Sequence, residues 1–180
     1  MKNKYKILLR SGILGILIIL MLSVLNTFFQ PTWLLVNNFY TSAGFYEEPD
    51  DRIETLFLGS SVGAYGFSSM ELYRDHGICA YSVSTDAQPV MASYYWLQET
   101  YRLHKNTLKN VIFDVSELRK DADDSSMHKA LDGMKLSLPK IKAAVNYGNG
   151  DFDKTLSYIL PFTLYHSRWD EIEMLDFEKY

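Results

Sequence analysis

A short apolar run that ends in Gly59-Ser60-Ser61 constrains the fold of this chain more than any other feature. Ile53–Leu58 has the length and composition of a buried β-strand, and a helix-compatible segment, Ser69–Arg74, follows within a few residues. Open α/β folds carry their reactive groups at the carboxyl ends of such strands. The turn also leaves backbone N–H groups free to hold an oxyanion. The pattern predicts a serine nucleophile at this turn, although the same tripeptide is typical of an ordinary turn cap.

Two more strand-like runs follow, at Ile78–Val83 and Val111–Val115. Between them, apolar residues recur at helical spacing over Gln88–His104, which predicts an amphipathic helix with Pro89 in its first turn. Strands that alternate with helices at these spacings are typical of a parallel sheet with covering helices. The sequence therefore predicts an α/β fold.

Right-handed crossovers place the carboxyl ends of parallel strands at one edge of the sheet. The three predicted strands end near Gly59, Ser84 and Ser116. We therefore expect the three loops that follow these residues to lie close together.

Beyond residue 120 the pattern is helical, and no further strand-like run is present. Helices are predicted at Met127–Leu131, at Pro139–Tyr147, after Asp151 and after Ser167. The polar segment Asp121–Ser126 lacks the glycine and the closing glutamate of an EF-hand loop, so it is interpreted as a solvated loop or a helix cap. No metal site and no cofactor are predicted.

The N-terminus predicts a membrane anchor. Residues 1–6 and Arg10 carry four basic and no acidic side chains, and no charge occurs from Gly12 to Phe29. The apolar segment, 7–29, has the length that a bilayer core requires, and the basic flank places the N-terminus in the cytoplasm. A cleavable signal peptide is the alternative, which the bulky residues of Leu25–Phe29 disfavour, and a buried core helix is a second one.

Residues 30–52, rich in Pro, Asn and acidic residues, are predicted to form a stalk, and residues 53–180 the main domain outside the membrane. All 22 acidic residues lie after position 46 with only 14 of the 18 basic ones, a formal charge of −8, which disfavours nucleic acid as a partner. The single Cys79 lies in an apolar run and is interpreted as a core residue.

The anchor, the segment Phe45–Pro49 and the run that ends in Gly59-Ser60-Ser61 resemble the SGNH/GDSL hydrolase superfamily. The likeness is to its membrane-anchored bacterial branch, which includes the D-alanine transfer protein of teichoic acid synthesis and cell-surface O-acetyltransferases. Further matches are Tyr81–Pro89 and the segment from Pro161 to Trp169. The resemblance implies a flavodoxin-like three-layer α/β/α domain that acts on acyl esters of cell-envelope polysaccharide or teichoic acid.

The resemblance implies roles for individual residues. Ser61 matches the nucleophile of the family's Gly-Asp-Ser block, and Ser60 replaces the Asp. Ala87 stands where the second block carries a glycine, so the N–H groups of Ser61 and Ala87 would hold the oxyanion. An alanine disfavours the positive φ that glycine tolerates there.

Three departures from the family pattern stand out. The third block offers Asp114-Val115-Ser116 in place of an Asn donor, and Asp114 is expected to turn away from the oxyanion or to cap a helix. No Asp-x-x-His supplies a base. Ser60, His166 and Arg168 are expected near the pocket, with His166 as a possible base and both His166 and Arg168 as possible substrate contacts.

The sequence predicts three strands, whereas the family's domain has five. This difference predicts that the chain is an N-terminal portion of such a domain. The leading interpretation is an anchored serine acyl-ester hydrolase or O-acyltransferase. The alternatives are a catalytically silent accessory module that holds a glycan or a partner, and a fragment of the enzyme.

Overall fold

The structure is a computed structural model that describes residues 2–29, 36–118 and 122–170. Its chain divides into two compact units, residues 1–31 with 160–180 and residues 32–159. The start of the predicted stalk, Asp121 of the polar segment and the last ten residues of the predicted 53–180 domain lie outside the described residues.

The first unit is built on one long helix, α1 (Lys2–Phe29). Its span Lys4–Asn26 has a mean hydropathy of 2.5 over its most apolar window and is not buried in the structure. A helix of this length and composition can cross a membrane. A short helix, α9 (Phe162–Tyr165), and a 3₁₀ helix (His166–Asp170) complete the described part of this unit.

The second unit contains a three-stranded parallel sheet, as predicted. Its strands are β1 (Thr55–Gly59), β2 (Ala80–Ser84) and β3 (Asn110–Phe113), in the order β2-β1-β3. The strand bounds differ from the predicted ones by one or two residues. Val115, predicted as the last residue of a strand, lies beyond β3 and is 59% exposed.

The sheet is connected and covered by helices, which lie at the predicted places except for the first, a five-residue helix that the sequence did not predict. They are α3 (Ser61–Tyr65), α4 (Ser69–His76), α5 (Val90–His104), α6 (Asp124–Leu131), α7 (Leu138–Gly148) and α8 (Phe152–Ile159). Side chains cap three of them, because Ser68, Asp123 and Ser137 accept backbone N–H groups at the starts of α4, α6 and α7. The predicted polar segment thus caps α6 through Asp123.

The predicted stalk is in part a packed helix, α2 (Val36–Glu47). Phe45 is fully buried, with its ring 5.4 Å from that of Trp96 in α5, and the Tyr81 hydroxyl of β2 donates to the Thr41 carbonyl. The stalk prediction fails here because Phe45 joins the core, a contact that the polar residues around it do not reveal.

Cys79 differs from its prediction as well. It is half-buried and lines a groove between β2 and α4 with Met70 and Tyr73, outside the central core. The core itself is formed by Leu56, Leu58, Val83, Trp96, Leu131 and their neighbours, which lie between the sheet and helices α5 to α8.

Candidate functional site

The carboxyl ends of the three strands form the candidate site. Gly59 pairs with Ser84 and Leu58 with Phe113 in the parallel register, and the Thr85 N–H donates to the Gly59 carbonyl. The loops that begin at Ser60, at Thr85 and at Asp114 therefore start side by side. This is the convergence that the order of strands and helices in the sequence predicts.

A carboxylate connects the first and third loops. Asp114 Oδ2 accepts the Ser60 N–H at 3.1 Å and the Ser60 hydroxyl, and it lies 3.0 Å from the Ser116 hydroxyl. Asp114 Oδ1 accepts the Ser116 N–H at 2.9 Å. These bonds, that from the Ser60 hydroxyl above all, hold the pKa of Asp114 below its ordinary value, because they stabilise the ionised form.

The two serines of the turn have different environments. Ser60 is 2% exposed, and its hydroxyl also lies 2.8 Å from that of Ser116, so its single hydrogen is already used in the contacts with Asp114 and Ser116. Ser61 is exposed at the first position of α3, and its hydroxyl makes no hydrogen bond with the residues that the structure describes. Of the pair, Ser61 has the side chain that a substrate can reach.

Gly59 makes the contact between the two loops possible. Its φ of 143° is disfavoured for residues with a side chain, and a Cβ built on it would stand 2.4 Å from the Cβ of Asp114. A glycine at the end of β1 is therefore required both by the backbone conformation and by the approach of Asp114.

Ala87, in the second loop, adopts the left-handed conformation with φ of 53°. For an alanine this conformation costs about 1–2 kcal/mol. The Ala87 N–H, like that of Ser61, donates no hydrogen bond within the described part of the chain. Both N–H groups assigned to the oxyanion by resemblance are thus available as donors.

Two buried polar groups beside Ala87 were not singled out by the sequence. Thr85 Oγ1 and Gln88 Oε1, on side chains that are 3% and 1% exposed, have no hydrogen-bond partner among residues 36–118 and 122–159 of this unit. Unpaired buried polar atoms are rare. Periodicity offers no signal for them, because both residues are polar and lie in a loop.

The sequence analysis also missed the contact between Asp114 and Ser60. Asp114 was expected to turn away from the oxyanion or to cap a helix, whereas it accepts the Ser60 N–H. One signal was present in the sequence. Asp at one position and Ser two residues later is the pattern of an Asx turn, in which the carboxylate accepts the later N–H, as Asp114 does with Ser116. The bonds to Ser60 depend on the neighbouring strand and have no local signature.

The three histidines of this unit have their contacts elsewhere. His104 is buried near the amino end of β1, where its Nδ1 accepts the Arg52 N–H, and burial lowers its pKa. His128 bonds Asp132 and Ser157. His76 lines a groove with Thr55, Lys109 and Asn110 at the amino ends of β1 and β3.

His166 and Arg168 belong to the first unit. His166 is exposed and its Nδ1 lies 2.8 Å from the Thr163 carbonyl, while Arg168 is 6% exposed and donates to the Phe29 carbonyl at 3.0 Å. The first contact holds His166 against α9, and the second places the Arg168 side chain beside the end of α1. The pocket role expected for them stays a prediction.

Comparison of the chain with protein-family models, with curated proteins and with solved structures finds no match. The assignment of the site therefore depends on the geometry of the three strand ends.

Proposed function

We propose that this protein is a membrane-anchored serine acyl-ester hydrolase or O-acyltransferase of SGNH type, with Ser61 as its nucleophile. The observation that carries the proposal is the difference in burial and hydrogen bonding between Ser60 and Ser61. Ser60 is buried and bonded to Asp114, whereas Ser61 presents an unbonded hydroxyl to solvent at the carboxyl edge of the sheet. Reactive groups of open α/β folds occupy this edge.

The reaction begins with attack of Ser61 Oγ on the carbonyl carbon of the ester. The carbonyl oxygen becomes an oxyanion, for which the N–H groups of Ser61 and Ala87 are the donors. Collapse of the intermediate breaks the ester C–O bond, the proton lost by Ser61 passes through solvent water to the departing oxygen, and the alcohol leaves while the acyl group stays on Ser61. Water then completes a hydrolysis, or a sugar hydroxyl completes a transfer.

The strain at Ala87 supports this proposal. A left-handed alanine persists only when its surroundings enforce it, and such residues cluster at active sites. Ala87 has the conformation that the glycine of the family's second block tolerates, although this chain carries an alanine at that position.

The histidines His76, His104 and His128 make their contacts away from Ser61, so none of these three takes its proton in this structure. A base remains necessary, because a serine without one retains only the part of catalysis that comes from binding and the oxyanion donors. The substrate class, acyl esters of cell-envelope glycopolymers, follows from the resemblance and from an apolar helix that is long enough to anchor the chain in a membrane. The basic flank of that helix favours a cytoplasmic N-terminus and a main domain outside.

The proposal is tested by labelling of the full-length protein in membranes with a fluorophosphonate, which forms a phosphonate ester with nucleophilic serines and releases fluoride. We expect labelling of the native chain and of Ser125→Ala, a matched change at an exposed serine, and loss of labelling in Ser61→Ala. Equal labelling of Ser61→Ala would contradict the assignment.

A second candidate function is a silent module that holds a glycan or partner at the same edge. The carboxylate of Asp114 in the third loop, where an amide donor is expected, favours it. Absence of labelling in the native chain, with glycan binding retained by Ser61→Ala, would select this function.

A further inference from the structure

Two segments that are far apart in the sequence meet at the end of α1. The Phe162 N–H donates to Asn26 Oδ1 at 2.9 Å, and the Arg168 guanidinium donates to the Phe29 carbonyl at 3.0 Å. The rings of Phe29 and Phe162 stand edge to face, with their centroids 5.3 Å apart. The segment 160–170 is therefore attached to the last turn of α1.

Each of the two hydrogen bonds satisfies a backbone group or a polar side chain at a helix end. Phe162 is the first residue of α9, and Phe29 is the last residue of α1. The first N–H groups and the last carbonyls of a helix have no partner inside that helix. Arg168, which is 6% exposed, also brings a positive charge to the carboxyl end of α1, where the helix dipole favours it. The attachment is thus specific, because it depends on particular polar groups as well as on apolar surface.

The contact is confined to one end of α1. Leu17 and Val24 are 57% and 66% exposed, whereas Asn26 and Phe29 are half-buried. The span Lys4–Asn26 has 23 residues. At 1.5 Å per residue it is roughly 34 Å long, close to the thickness of about 30 Å of a hydrocarbon core. With the N-terminus in the cytoplasm, Asn26 and Phe29 lie at the outer boundary of that core.

Helix α9 presents apolar surface next to this boundary. Leu164 is 46% exposed, and Phe162 and Tyr165 are half-buried. Tyrosine is enriched at membrane interfaces, and an exposed leucine gains free energy when it leaves water. The surface of α9 therefore suits contact with lipid at the level of its attachment to α1.

The charge of the segment indicates which part of the bilayer it fits. Residues 160–170 contain Arg168 and Asp170 and no lysine, and Arg168 is bonded to the Phe29 carbonyl. Attraction to anionic head groups depends on clusters of lysine and arginine. The glycerol and upper acyl region is thus the matching part of the bilayer, and an anionic head group is not required.

We propose that residues 160–170 form a second membrane contact of this chain, with α9 in the outer interface of the bilayer and Leu164 among the acyl chains. The proposal rests on the membrane anchor of the proposed function, because the depth of α9 follows from its attachment to α1. Residues 32–159 are then joined to the bilayer at both ends of their sequence. Such a connection suits an enzyme whose substrate is part of the cell envelope.

Quenching by spin-labelled lipids tests the position of α9. The full-length protein with Cys79→Ser as background carries the dye nitrobenzoxadiazole on Leu164→Cys in vesicles of phosphatidylcholine. His166→Cys is the matched control, because His166 is also exposed but lies two residues further, roughly 200° around a helix. Lipid with a doxyl group on an upper acyl carbon should quench the dye at position 164 several-fold more strongly than at position 166. Equal quenching at the two positions, or none at position 164, would overturn the proposal.

Variants of the attachment show whether α1 holds α9 in place. Arg168→Met should reduce quenching at position 164 to the level of position 166, because the bond to the Phe29 carbonyl is lost. Arg74→Met, at an arginine whose side chain is 68% exposed in the second unit, should leave quenching unchanged. Addition of anionic phosphatidylglycerol should also leave it unchanged. Quenching that persists in Arg168→Met, or that requires the anionic lipid, would contradict the proposed contact.

Extraction of membranes with alkaline carbonate separates this proposal from the anchor itself. Release of the protein by carbonate would mean that α1 does not span the bilayer, and the anchor and the second contact would both fail. A protein that stays in the membrane while the dye at position 164 is not quenched would leave the anchor intact and overturn the second contact alone.

Discussion

The carboxylate of Asp114 accepts hydrogen bonds from both the backbone N–H and the hydroxyl of Ser60. This relationship joins the end of β3 to the turn after β1 and orients the residue that follows, Ser61. Asp114, to which the sequence analysis assigned no catalytic role, thus holds the backbone of the residue that precedes the proposed nucleophile.

Replacement of Asp114 by Ala should destabilise the protein and disturb Ser61. The buried Ser60 N–H would lose its acceptor, while the Ser60 hydroxyl keeps Ser116 as a partner, and an unpaired buried N–H costs about 1–3 kcal/mol in the free energy of unfolding. We expect a loss of this size in denaturant unfolding, together with a loss of fluorophosphonate labelling.

Asp123→Ala is the matched control. Asp123 also accepts the N–H and the hydroxyl of a serine, Ser126, but it does so at the start of α6. The change should lower stability by about 0.5–2 kcal/mol, as loss of a helix cap does, and leave labelling intact. Labelling that falls equally in both variants would mean that Asp114 acts on global stability alone.

Gly59→Ala should be among the most damaging single-methyl changes in this chain. The added Cβ would meet Asp114 Cβ at 2.4 Å while the backbone holds a φ of 143°. Gly77→Ala separates the two effects, because Gly77 has a φ of 67° but open space around it. We expect the left-handed conformation to lower the free energy of unfolding of Gly77→Ala by about 1–2 kcal/mol. The loss for Gly59→Ala should be clearly larger, and denaturant unfolding measures both. Equal losses would show that the contact with Asp114 costs nothing.

Ala87→Gly should stabilise the protein or leave its stability unchanged. Glycine removes the strain of a left-handed alanine, about 1–2 kcal/mol, and adds about 0.5–1 kcal/mol of backbone entropy to the unfolded chain. The free energy of unfolding should rise by up to about 1 kcal/mol. Ala92→Gly, in the first turn of α5, has no strain to relieve and should lower the free energy of unfolding. A comparable loss in both variants would argue against strain at Ala87.

Lys140 predicts a pH dependence in the alkaline range. It is buried, its ammonium group donates to the carbonyls of Asp132 and Met134, and burial lowers its pKa to about 8. Between about pH 8 and the pKa near 10.4 of an unfolded lysine, the unfolded chain binds more protons than the folded one. Stability should therefore rise with pH through this window, by an amount on the order of 3 kcal/mol at most.

Unfolding experiments at pH 7.5 and pH 10 measure this slope. Lys140→Met should remove the Lys140 contribution, whereas Lys142→Met, a change at an exposed position two residues later, should keep it. The difference between the two variants cancels the titration of the tyrosines. Identical slopes would show that the folded Lys140 titrates as an ordinary lysine does.

Local patterns determined most of the secondary structure. The apolar run before Gly59 predicts β1, the helical spacing over Gln88–His104 predicts α5, and the uncharged segment Gly12–Phe29 predicts the long helix α1. These elements were predictable because each depends on the periodicity and the hydrophobicity of its own residues. The parallel sheet and the meeting of its three strand ends follow from their order.

Tertiary structure decided what local patterns do not encode. The bonds between Asp114 and Ser60 join residues 54 positions apart, so they depend on strand register. Phe45, in a segment predicted as a stalk, is buried against Trp96 because α2 packs on the sheet. The sequence by itself determined the elements and their order, because those depend on neighbours along the chain. The tertiary structure decided which polar groups meet and which side chains are buried, because those depend on neighbours in space.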